Sequence, residues 1–352
     1  MKLMGGHMKY YPLKFEPVFK SILWGGRNLE KLGKTLPPGK IAESWEISAH
    51  PDGMGRVSNG IFRGMTLEKL AVTHWEEILG SSRTAGSPGK FPLLIKLIDA
   101  NDKLSVQVHP DDTYAKVHEN GEFGKNELWY VVDCLPEAKL VYGLKSGMTR
   151  ERFRRAVEDN SVRDCLNVVS VKPGDCLDIP AGLVHAIGEG ILICEVQQNS
   201  NTTYRVYDYD RITDGKKRDL HLEKAMDVID YSLPKRQGFL KGLAIRREDS
   251  LRTFYKANRY FCVEHVACTG LHADDTRGVM FHTYTFLEGK GRIGSTSISM
   301  GDSVLLPAAM GQYTIEGRFS AIKSYVPDLD MDVLSPLLEA GYTEEEIRRE
   351  VL

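Results

Sequence analysis

The sequence predicts a mostly β protein in which short strands and tight turns are interrupted by a few helices. Polar and apolar residues alternate in several runs, such as residues 42–50 and 105–109, as they do in strands with one buried face. Gly and Pro pairs bracket these runs, which is typical of strand–turn boundaries. A pattern of fixed spacing also occurs twice in the second half of the chain, and this indicates a duplicated β unit.

The predicted strands begin near the N-terminus. Residues 13–24 suit a first strand, and Gly25 with Gly26 then turns the chain. Residues 42–50 form a second strand, and residues 91–100 are the most apolar strand of the chain.

Helices are predicted at three places in the first half. Residues 66–79 have helical character, with Thr73 and Glu76 in the spacing of a capping box and a glycine at the end. Residues 149–157 carry apolar side chains at helical spacing, and residues 161–166 predict a second, shorter helix. Residues 81–90 are rich in Ser, Gly and Pro and predict a loop.

The repeated pattern consists of a Gly-Asp pair followed at fixed steps by two further residues. The pair at 174–175 is followed five residues after the Asp by a proline, and after five more by His185. The pair at 301–302 is followed at the same steps by a proline and then by Gln312. We therefore expect a duplicated unit in which only the first copy holds a metal, because the second lacks the imidazole.

A candidate metal site comes from two separate stretches. Gln107 and His109 share one face of a predicted strand, and Glu127 follows with Lys125 on the same face of another. His185 comes directly after a short apolar strand bracketed by turns. Imidazole, carboxylate and amide groups can together hold a divalent cation.

Composition excludes several classes of partner. The chain has 352 residues, a formal charge of −2 and 27% charged residues, so no basic surface for nucleic acid is indicated. No apolar run reaches the roughly 18 residues of a membrane helix, and residues 1–7, before Met8, have no apolar signal core. The six cysteines form no CxxC pair and suggest reduced thiols in a cytoplasmic protein.

The C-terminal tail has a different character. Ser335 with Pro336 predicts a helix start, Thr343 with Glu346 has capping-box spacing, and Gly341 joins the two helices. Such a pair of helices usually packs on its own domain. A contact with another subunit is the alternative.

Four motifs, SVQVHPDD, GKNELWY, IPAGLVHA and EVQQNSNTTYRVYDYDR, resemble those of type I phosphomannose isomerases in their shorter bacterial form. The resemblance covers residues 12–327. It implies an all-β fold of two cupin (jelly-roll) barrels with helical insertions: residues 10–210 with the metal, 211–327 without it, and a helical tail at 328–352. It also implies interconversion of mannose 6-phosphate and fructose 6-phosphate, a phosphorylated sugar as partner, and one Zn²⁺ per chain.

The resemblance carries individual roles to residues that match its motifs. The implied metal ligands are Gln107, His109, Glu127 and His185. The implied catalytic residues are Arg205, Glu195 and Lys125, and the implied substrate-binding residues are Lys96, Ser105 and Asn201.

The chemistry of these side chains fits a proton transfer between adjacent sugar carbons. A metal polarises the carbonyl, Glu195 can shuttle the proton, and Arg205 can stabilise an oxyanion. Three alternatives stay open at this point: Glu195 as a residue that only orients His185, Lys96 as an edge lysine, and Arg205 as the ion-pair partner of Asp208 or Asp210.

Asn201 departs from the family, which commonly has Asp at this position. If that carboxylate helps to open the sugar ring, Asn201→Asp raises turnover; if Asn201 only caps the loop, the change is silent. Two other functions fit the same fold. An Fe(II) oxygenase is disfavoured by the amide ligand Gln107, and a sugar-sensing protein without turnover is supported only by Asn201.

Overall fold

The computed structural model describes residues 10–80, 90–213, 215–233 and 238–352. Two predicted features, the segment before Met8 and most of the loop at 81–90, lie outside the described residues. The described part of the chain is mostly β, as predicted, and its strands form three larger sheets and one two-stranded ribbon, Ile212–Thr213 with Lys216–Lys217.

Two antiparallel sheets enclose the first core. The six-stranded sheet contains, in spatial order, Cys176–Ile179, Glu127–Cys134, Ile191–Gln198, Leu93–Ala100, Glu43–Ile47 and Val18–Lys20. The five-stranded sheet contains Tyr204–Tyr207, Val106–Val108, His185–Ala186, Lys139–Leu144 and Leu166–Ser170. Trp129 and Ile193 from the first sheet share one buried cluster with Leu140 and Tyr142 from the second. The two sheets therefore face each other across a common interior.

The third sheet is formed by the C-terminal part of the chain with help from the N-terminus. Eight of its strands are, in spatial order, Leu243–Arg247, Ser250–Ala257, Cys262–Cys268, Gln312–Tyr325, His282–Ile293, Ser303–Leu306, Leu13–Glu16 and Arg56–Val57. Two further strands pair beside this row: Leu271–Asp275 with Gln312–Tyr325, and Thr296–Ser299 with His282–Ile293. Leu13 is the register partner of Leu305, so the first described strand belongs to this sheet. The division of the chain at residues 210 and 327 stays a prediction.

The helices decorate these sheets. The α-helices before the tail are Leu67–Thr73, Trp75–Leu79, Asp112–His118, Arg150–Glu158 and Leu222–Val228, and the 3-10 turns are Asn28–Leu32, Pro51–Gly53, Val162–Cys165 and Ala308–Met310. In the described ranges, no helix has the length and apolar character that crossing a membrane requires.

The predicted helix at 66–79 and its capping box are partly wrong. The segment is divided into two helices at His74, and the first helix begins after Thr66, whose hydroxyl accepts from the Lys69 N–H at 3.2 Å. Thr73 lies in the last turn, and its hydroxyl donates to the Lys69 carbonyl at 2.8 Å. A side chain that bonds back to its own helix cannot cap the next one. The helix predicted at 149–157 is confirmed, with Thr149 as its N-cap.

The tail consists of a π-helical turn at Leu329–Leu334 that continues into the helix Ser335–Glu339, followed by the helix Glu344–Glu350. The capping box of Thr343 and Glu346 is confirmed. Ser335 is not an N-cap, because the preceding turn already supplies the helical start. Apolar tail side chains are buried with the C-terminal sheet, and they are Val333, Leu337, Ile347 and Val351. The tail therefore packs on its own chain.

The two Gly-Asp turns have the same geometry. The Asp175 N–H donates to the Lys172 carbonyl at 3.1 Å, and the Asp302 N–H donates to Ser299 at 3.0 Å. In return, each carboxylate accepts from the backbone N–H of that same residue, at 2.9 and 2.8 Å. The glycine of each pair has positive φ, at 89° and 84°, which glycine adopts without strain. The repeat seen in the sequence is thus also a repeat of local structure.

Candidate metal centre and active site

Three of the four predicted metal ligands form a buried cluster between the two N-terminal sheets. One ligand atom each from His109, Glu127 and His185 lies within 4.8 Å of the others. His109 Nε2 is 3.2 Å and His185 Nε2 is 3.9 Å from the carboxylate of Glu127. The fourth, Gln107, places its amide nitrogen 3.4 Å from His185 Nε2. The structure therefore brings all four together.

Strand register explains this convergence. Gln107 and His185 are direct partners on neighbouring antiparallel strands of the five-stranded sheet. His109 follows Gln107 by two residues and keeps the same face. Glu127 begins its strand on the opposite sheet, where it pairs with Gln197. The interior between the sheets is thus the only place where these side chains meet among the described residues.

Both histidines are oriented by backbone carbonyls. His109 Nδ1 donates to Thr202 at 2.9 Å, and His185 Nδ1 donates to Leu183 at 2.9 Å. This fixes the tautomer and leaves each Nε2 with a lone pair directed toward Glu127. Burial, followed by the charge of Lys125, lowers the pKa of His109 to about 3. Burial also lowers the pKa of His185. Neutral imidazoles are the form in which histidine binds metals.

The carboxylate of Glu127 completes a donor set that fits a divalent cation. Burial opposes its ionisation, but the adjacent positive charge of Lys125 outweighs this and holds the pKa of Glu127 well below its ordinary value. Its Oε1 atom is fully buried and accepts no well-aligned hydrogen bond from any described residue, although the Lys125 ammonium lies against it. Two neutral imidazoles, an ionised carboxylate and an amide suit a tetrahedral ion such as Zn²⁺.

A cavity of about 310 Å³ opens beside this cluster. Seven of its lining residues were predicted from the sequence, namely Lys96, Ser105, Gln107, Lys125, Glu195, Asn201 and Arg205. The nine other lining residues were not predicted as site residues, and they include Trp24, Glu43, Thr203 and Arg218. Thr203 lies inside a motif that was quoted, so it could have been found. Trp24, Glu43 and Arg218 come from distant segments, and no motif in the sequence marks them as site residues.

Lys96 and Glu195 form a buried pair on neighbouring strands. Lys96 Nζ lies 3.1 Å from Glu195 and 3.9 Å from Glu43. Lys96 is on an interior strand with neighbours on both sides, so the edge-lysine alternative is wrong. Trp129 Nε1 donates to Glu195 at 2.9 Å. Burial and the charge of Glu127 raise the pKa of Glu195, against the influence of Lys96.

Arg205 is held at the pocket mouth by neutral partners. Its Nε donates to Ser105 Oγ at 3.2 Å, and a terminal nitrogen donates to the Asp219 carbonyl at 2.9 Å. Asp208 pairs instead with Arg211 and Arg218, and Asp210 pairs with Lys217, so the alternative of an ion pair between Arg205 and one of these aspartates is wrong. Burial, followed by the nearby charge of Arg218, lowers the pKa of Arg205. Because both of these hydrogen-bond partners are neutral, the positive charge of the guanidinium is available to a ligand.

Asn201 lies at the exposed rim of the cavity. Its amide nitrogen donates to Asp52 Oδ2 at 2.7 Å and so connects its loop to the turn after the strand Glu43–Ile47. An aspartate here would face another carboxylate. The neutral amide is therefore the group that suits this contact.

Comparisons with known proteins agree with the motifs. The family model "Phosphomannose isomerase type I, catalytic domain" matches residues 13–127, and "Mannose-6-phosphate isomerase, cupin domain" matches residues 250–326. The mannose-6-phosphate isomerase ManA of Bacillus subtilis is 41% identical over 321 residues, which are 90% of this chain and 99% of that protein. The mannose-6-phosphate isomerase of Streptococcus mutans is 36% identical over 89% of this chain and 98% of its own.

Solved structures give the same result. The crystal structure of the mannose 6-phosphate isomerase from Bacillus subtilis superimposes with a TM-score of 0.81 at 34% identity, covering 89% of this chain and 99% of that one. A putative mannosephosphate isomerase from Archaeoglobus fulgidus superimposes with a TM-score of 0.71 at 25% identity, covering 91% and 99%. The chain belongs to the type I phosphomannose isomerase family.

Proposed function

We propose that this chain is a zinc-dependent isomerase that interconverts mannose 6-phosphate and fructose 6-phosphate by proton transfer between C1 and C2. The observation that carries the proposal is the convergence of four potential metal-ligand side chains beside a cavity with a buried carboxylate and a guanidinium held by neutral groups. Family membership favours this function over the Fe(II) oxygenase and the sugar sensor.

The metal would be held by Gln107, His109, Glu127 and His185. When bound, it supplies a Lewis acid that polarises the sugar carbonyl and stabilises the negative charge that develops on its oxygen. Zinc is the proposed ion because the donor set is small and rich in imidazole.

Glu195 is proposed as the group that moves the proton. A carboxylate of ordinary pKa is a weak base, and burial raises the pKa of Glu195, which makes its carboxylate a stronger base. The Trp129 indole and the Lys96 ammonium hold the carboxylate in one place. The position of Glu195 in the cavity lining supports this role.

The phosphate is proposed to lie at the mouth of the cavity, near Arg205 and Arg218. Guanidinium groups bind phosphate oxygens through paired N–H donors, and both side chains line the cavity. The contact of Lys96 with substrate stays a prediction, because its two carboxylate neighbours favour a role in positioning Glu195. Lys125 is proposed to assist at the metal side of the pocket, where its ammonium is 3.1 Å from His109 Nε2.

The finer architecture and the compartment are also proposals. The paired N-terminal sheets and the C-terminal sheet support two cupin barrels with the metal in the first. All six cysteines are free thiols and five are buried, which supports a cytoplasmic location. The exposed Leu338 and Met331 on the tail leave room for the predicted subunit contact.

A coupled assay of mannose 6-phosphate turnover tests the function. We expect activity in the metal-loaded chain, loss on chelation and recovery with Zn²⁺. Lys125→Met should reduce kcat or raise KM while leaving the metal bound, and Lys139→Met, a change at an exposed position, serves as the control. Absence of turnover in the zinc-loaded protein would contradict the proposal.

A further inference from the structure

A second polar cavity lies in the C-terminal sheet, away from the candidate active site. Its volume is about 620 Å³, within the range of about 300–1,000 Å³ that is usual for small-molecule sites. Arg252, Lys323, Asp274, His282 and Tyr313 line it. Burying so many ionisable groups is costly, and the proposed isomerase reaction uses none of them.

Strand pairing shows that this cavity corresponds to the active-site pocket. The strand after the first Gly-Asp turn places Ile179 opposite Glu127. The strand after the second turn places Leu306, at the same step, opposite His282. In addition, Gln107 is the partner of His185, and Asp275 is the partner of Gln312.

The positions of the metal ligands are thus occupied in the second cavity by other residues. Asp275, Arg277, His282 and Gln312 stand where Gln107, His109, Glu127 and His185 stand in the first, and all four line the cavity. A guanidinium at the position of His109 repels a cation. Among the described residues, this cavity therefore has no cluster fit for a metal. It is a polar pocket at the position that corresponds to the active-site pocket.

In the active-site pocket, three neighbouring strands carry charges in the order minus, plus, minus. Glu195 and Lys96 are register partners, and Glu43 on the next strand approaches the Lys96 ammonium. The lysine is thus placed between two carboxylates at the base of the pocket.

The second cavity has the same row with the signs reversed. Lys323 and Glu264 are register partners, and their charged groups are 3.5 Å apart. Arg252 on the next strand donates two hydrogen bonds to Glu264, at 2.7 and 2.9 Å. Tyr325 donates to the same carboxylate at 2.8 Å. The order is plus, minus, plus, which is the reverse of the order in the active-site pocket.

The balance of charge indicates the class of ligand. The active-site pocket has four cations and four carboxylates when the ion-pair partners directly behind its wall are included. The cations are Lys96, Lys125, Arg205 and Arg218, and the carboxylates are Glu43, Glu127, Glu195 and Asp208. The proposed divalent ion adds a positive surplus, which suits a phosphate. Counted in the same way, the charges of the second cavity are balanced without any ion. Its cations are Arg247, Arg252, Arg277 and Lys323, and its carboxylates are Asp274, Asp275, Asp332 and Glu264. Without surplus charge, it suits a neutral ligand.

The groups on its wall suit hydroxyls. Asp274 presents a carboxylate that already accepts from Lys323 at 2.7 Å, and the Tyr313 hydroxyl lies 2.7 Å from His282 Nδ1 and 2.8 Å from the hydroxyl of Tyr284. Such alternating donors and acceptors match sugar hydroxyls, which both donate and accept. We propose that this cavity binds a neutral polyhydroxylated molecule, a sugar without phosphate or a polyol, of one or two hexose units.

The tail supplies a way to block the cavity without disturbing its charges. Met331 lines the mouth and is 59% exposed, so Met331→Trp should fill the opening while the fold is kept. Leu338→Trp is the matched control, because Leu338 is also an exposed apolar residue of the tail but does not line the cavity. Tyr313→Phe removes one hydroxyl from the wall and leaves the size of the cavity unchanged.

Calorimetric titration of the metal-loaded protein with D-mannose, D-glucose, D-mannitol and inorganic phosphate tests the proposal. We expect at least one of the three neutral compounds to bind with a millimolar or lower Kd, and the bound ligand to slow hydrogen exchange at residues 329–339. Met331→Trp should raise that Kd at least about tenfold, Tyr313→Phe should raise it several-fold, and Leu338→Trp should not change it.

His185→Ala separates this site from the proposed isomerase. Binding of the neutral compound should persist in that variant even though turnover is lost. No binding by any neutral compound, equal binding in Met331→Trp and the wild type, or loss of binding in His185→Ala would contradict the proposal. Preferential binding of phosphate at the tail-covered mouth would overturn the assigned ligand class.

Discussion

The two cavities of this chain stand at corresponding positions of their sheets but are lined by different side chains. Both lie beside a strand that follows a Gly-Asp turn, and the hydrogen bonds of the two turns agree within about 0.1 Å. One contains a buried His109, Glu127 and His185, and the other has Arg277, His282 and Gln312 at those positions. The backbone is repeated while the chemistry is not.

This difference shows which features follow from the fold and which from the side chains. In both cavities, strand register brings three charged residues on neighbouring strands together at the cavity wall. Whether that cavity collects a metal or a balanced network of charges depends on the identity of the residues at fixed positions. Function in this architecture is therefore determined at the level of single side chains.

The largest effect is expected from the position that the sequence repeat identifies. His185→Ala should lower kcat by about a thousandfold or more, because a lost ligand removes the Lewis acid. Gln312→Ala, the corresponding change in the second cavity, should leave kcat within about twofold. Comparable losses of activity in both variants would mean that the two cavities do not differ in the proposed way.

Glu195→Gln tests the function of the charged row in the active-site pocket. The amide keeps the shape of the side chain but cannot move a proton, so we expect kcat to fall about a hundredfold or more. Metal content should stay unchanged, since Glu195 is not a proposed ligand. A variant with normal kcat would assign the proton transfer to another group.

Glu264→Gln is the matched change in the second row and should affect stability instead of activity. Glu264 is fully buried and bound by Arg252, Lys323 and Tyr325, and removing its charge leaves two buried cations with too little compensation. We expect the free energy of unfolding to fall by about 3 kcal/mol, with unchanged kcat. Urea unfolding checks the first quantity, and wild-type stability in the variant would show that the network is not a stabilising one.

Acid should weaken the same network. Burial opposes ionisation of Glu264, but Arg252 and Lys323 outweigh it and lower its pKa to about 2, and Lys323 likewise holds the pKa of Asp274 well below normal. Groups with a lowered pKa stabilise the fold above their unfolded pKa, and this stabilisation is lost as pH falls toward the folded value. We expect stability to fall between about pH 4.5 and pH 2, less steeply in Glu264→Gln.

The smallest effect concerns Asn201, which contacts Asp52 at the rim. In Asn201→Asp, any gain in turnover from the new carboxylate competes with its repulsion by Asp52. We expect a change in kcat below about threefold, because the contact is exposed. The double variant Asp52→Asn with Asn201→Asp restores the pair with exchanged partners. A large, pH-dependent gain in the single variant would instead support the catalytic role.

The ligand positions could be predicted because they depend only on local alternation and on motifs. Gln107 and His109 are two residues apart on one strand, so their common face follows from strand geometry. The Gly-Asp repeat likewise depends on a short turn that is specified by its own residues. The strand at residues 93–100 was recognisable from its continuous apolar character.

What could not be predicted depends on distant pairing. Glu43 reaches Lys96, and Arg218 reaches the cavity, only through the order of strands in the folded sheets. The reversed row of Arg252, Glu264 and Lys323 is invisible in the sequence, because its members lie on three strands separated by up to about 70 residues. The strand Leu13–Glu16 joins the C-terminal sheet by a pairing of the same long range.

The metal content per chain tests the central claim most directly. Elemental analysis should give one zinc or equivalent divalent ion in the purified wild type, none in His109→Ala, and one in His282→Ala, whose residue occupies the position of Glu127 in the second cavity. Two ions in the wild type, or an ion retained in His109→Ala and lost in His282→Ala, would contradict the assignment of metal chemistry to the first cavity alone.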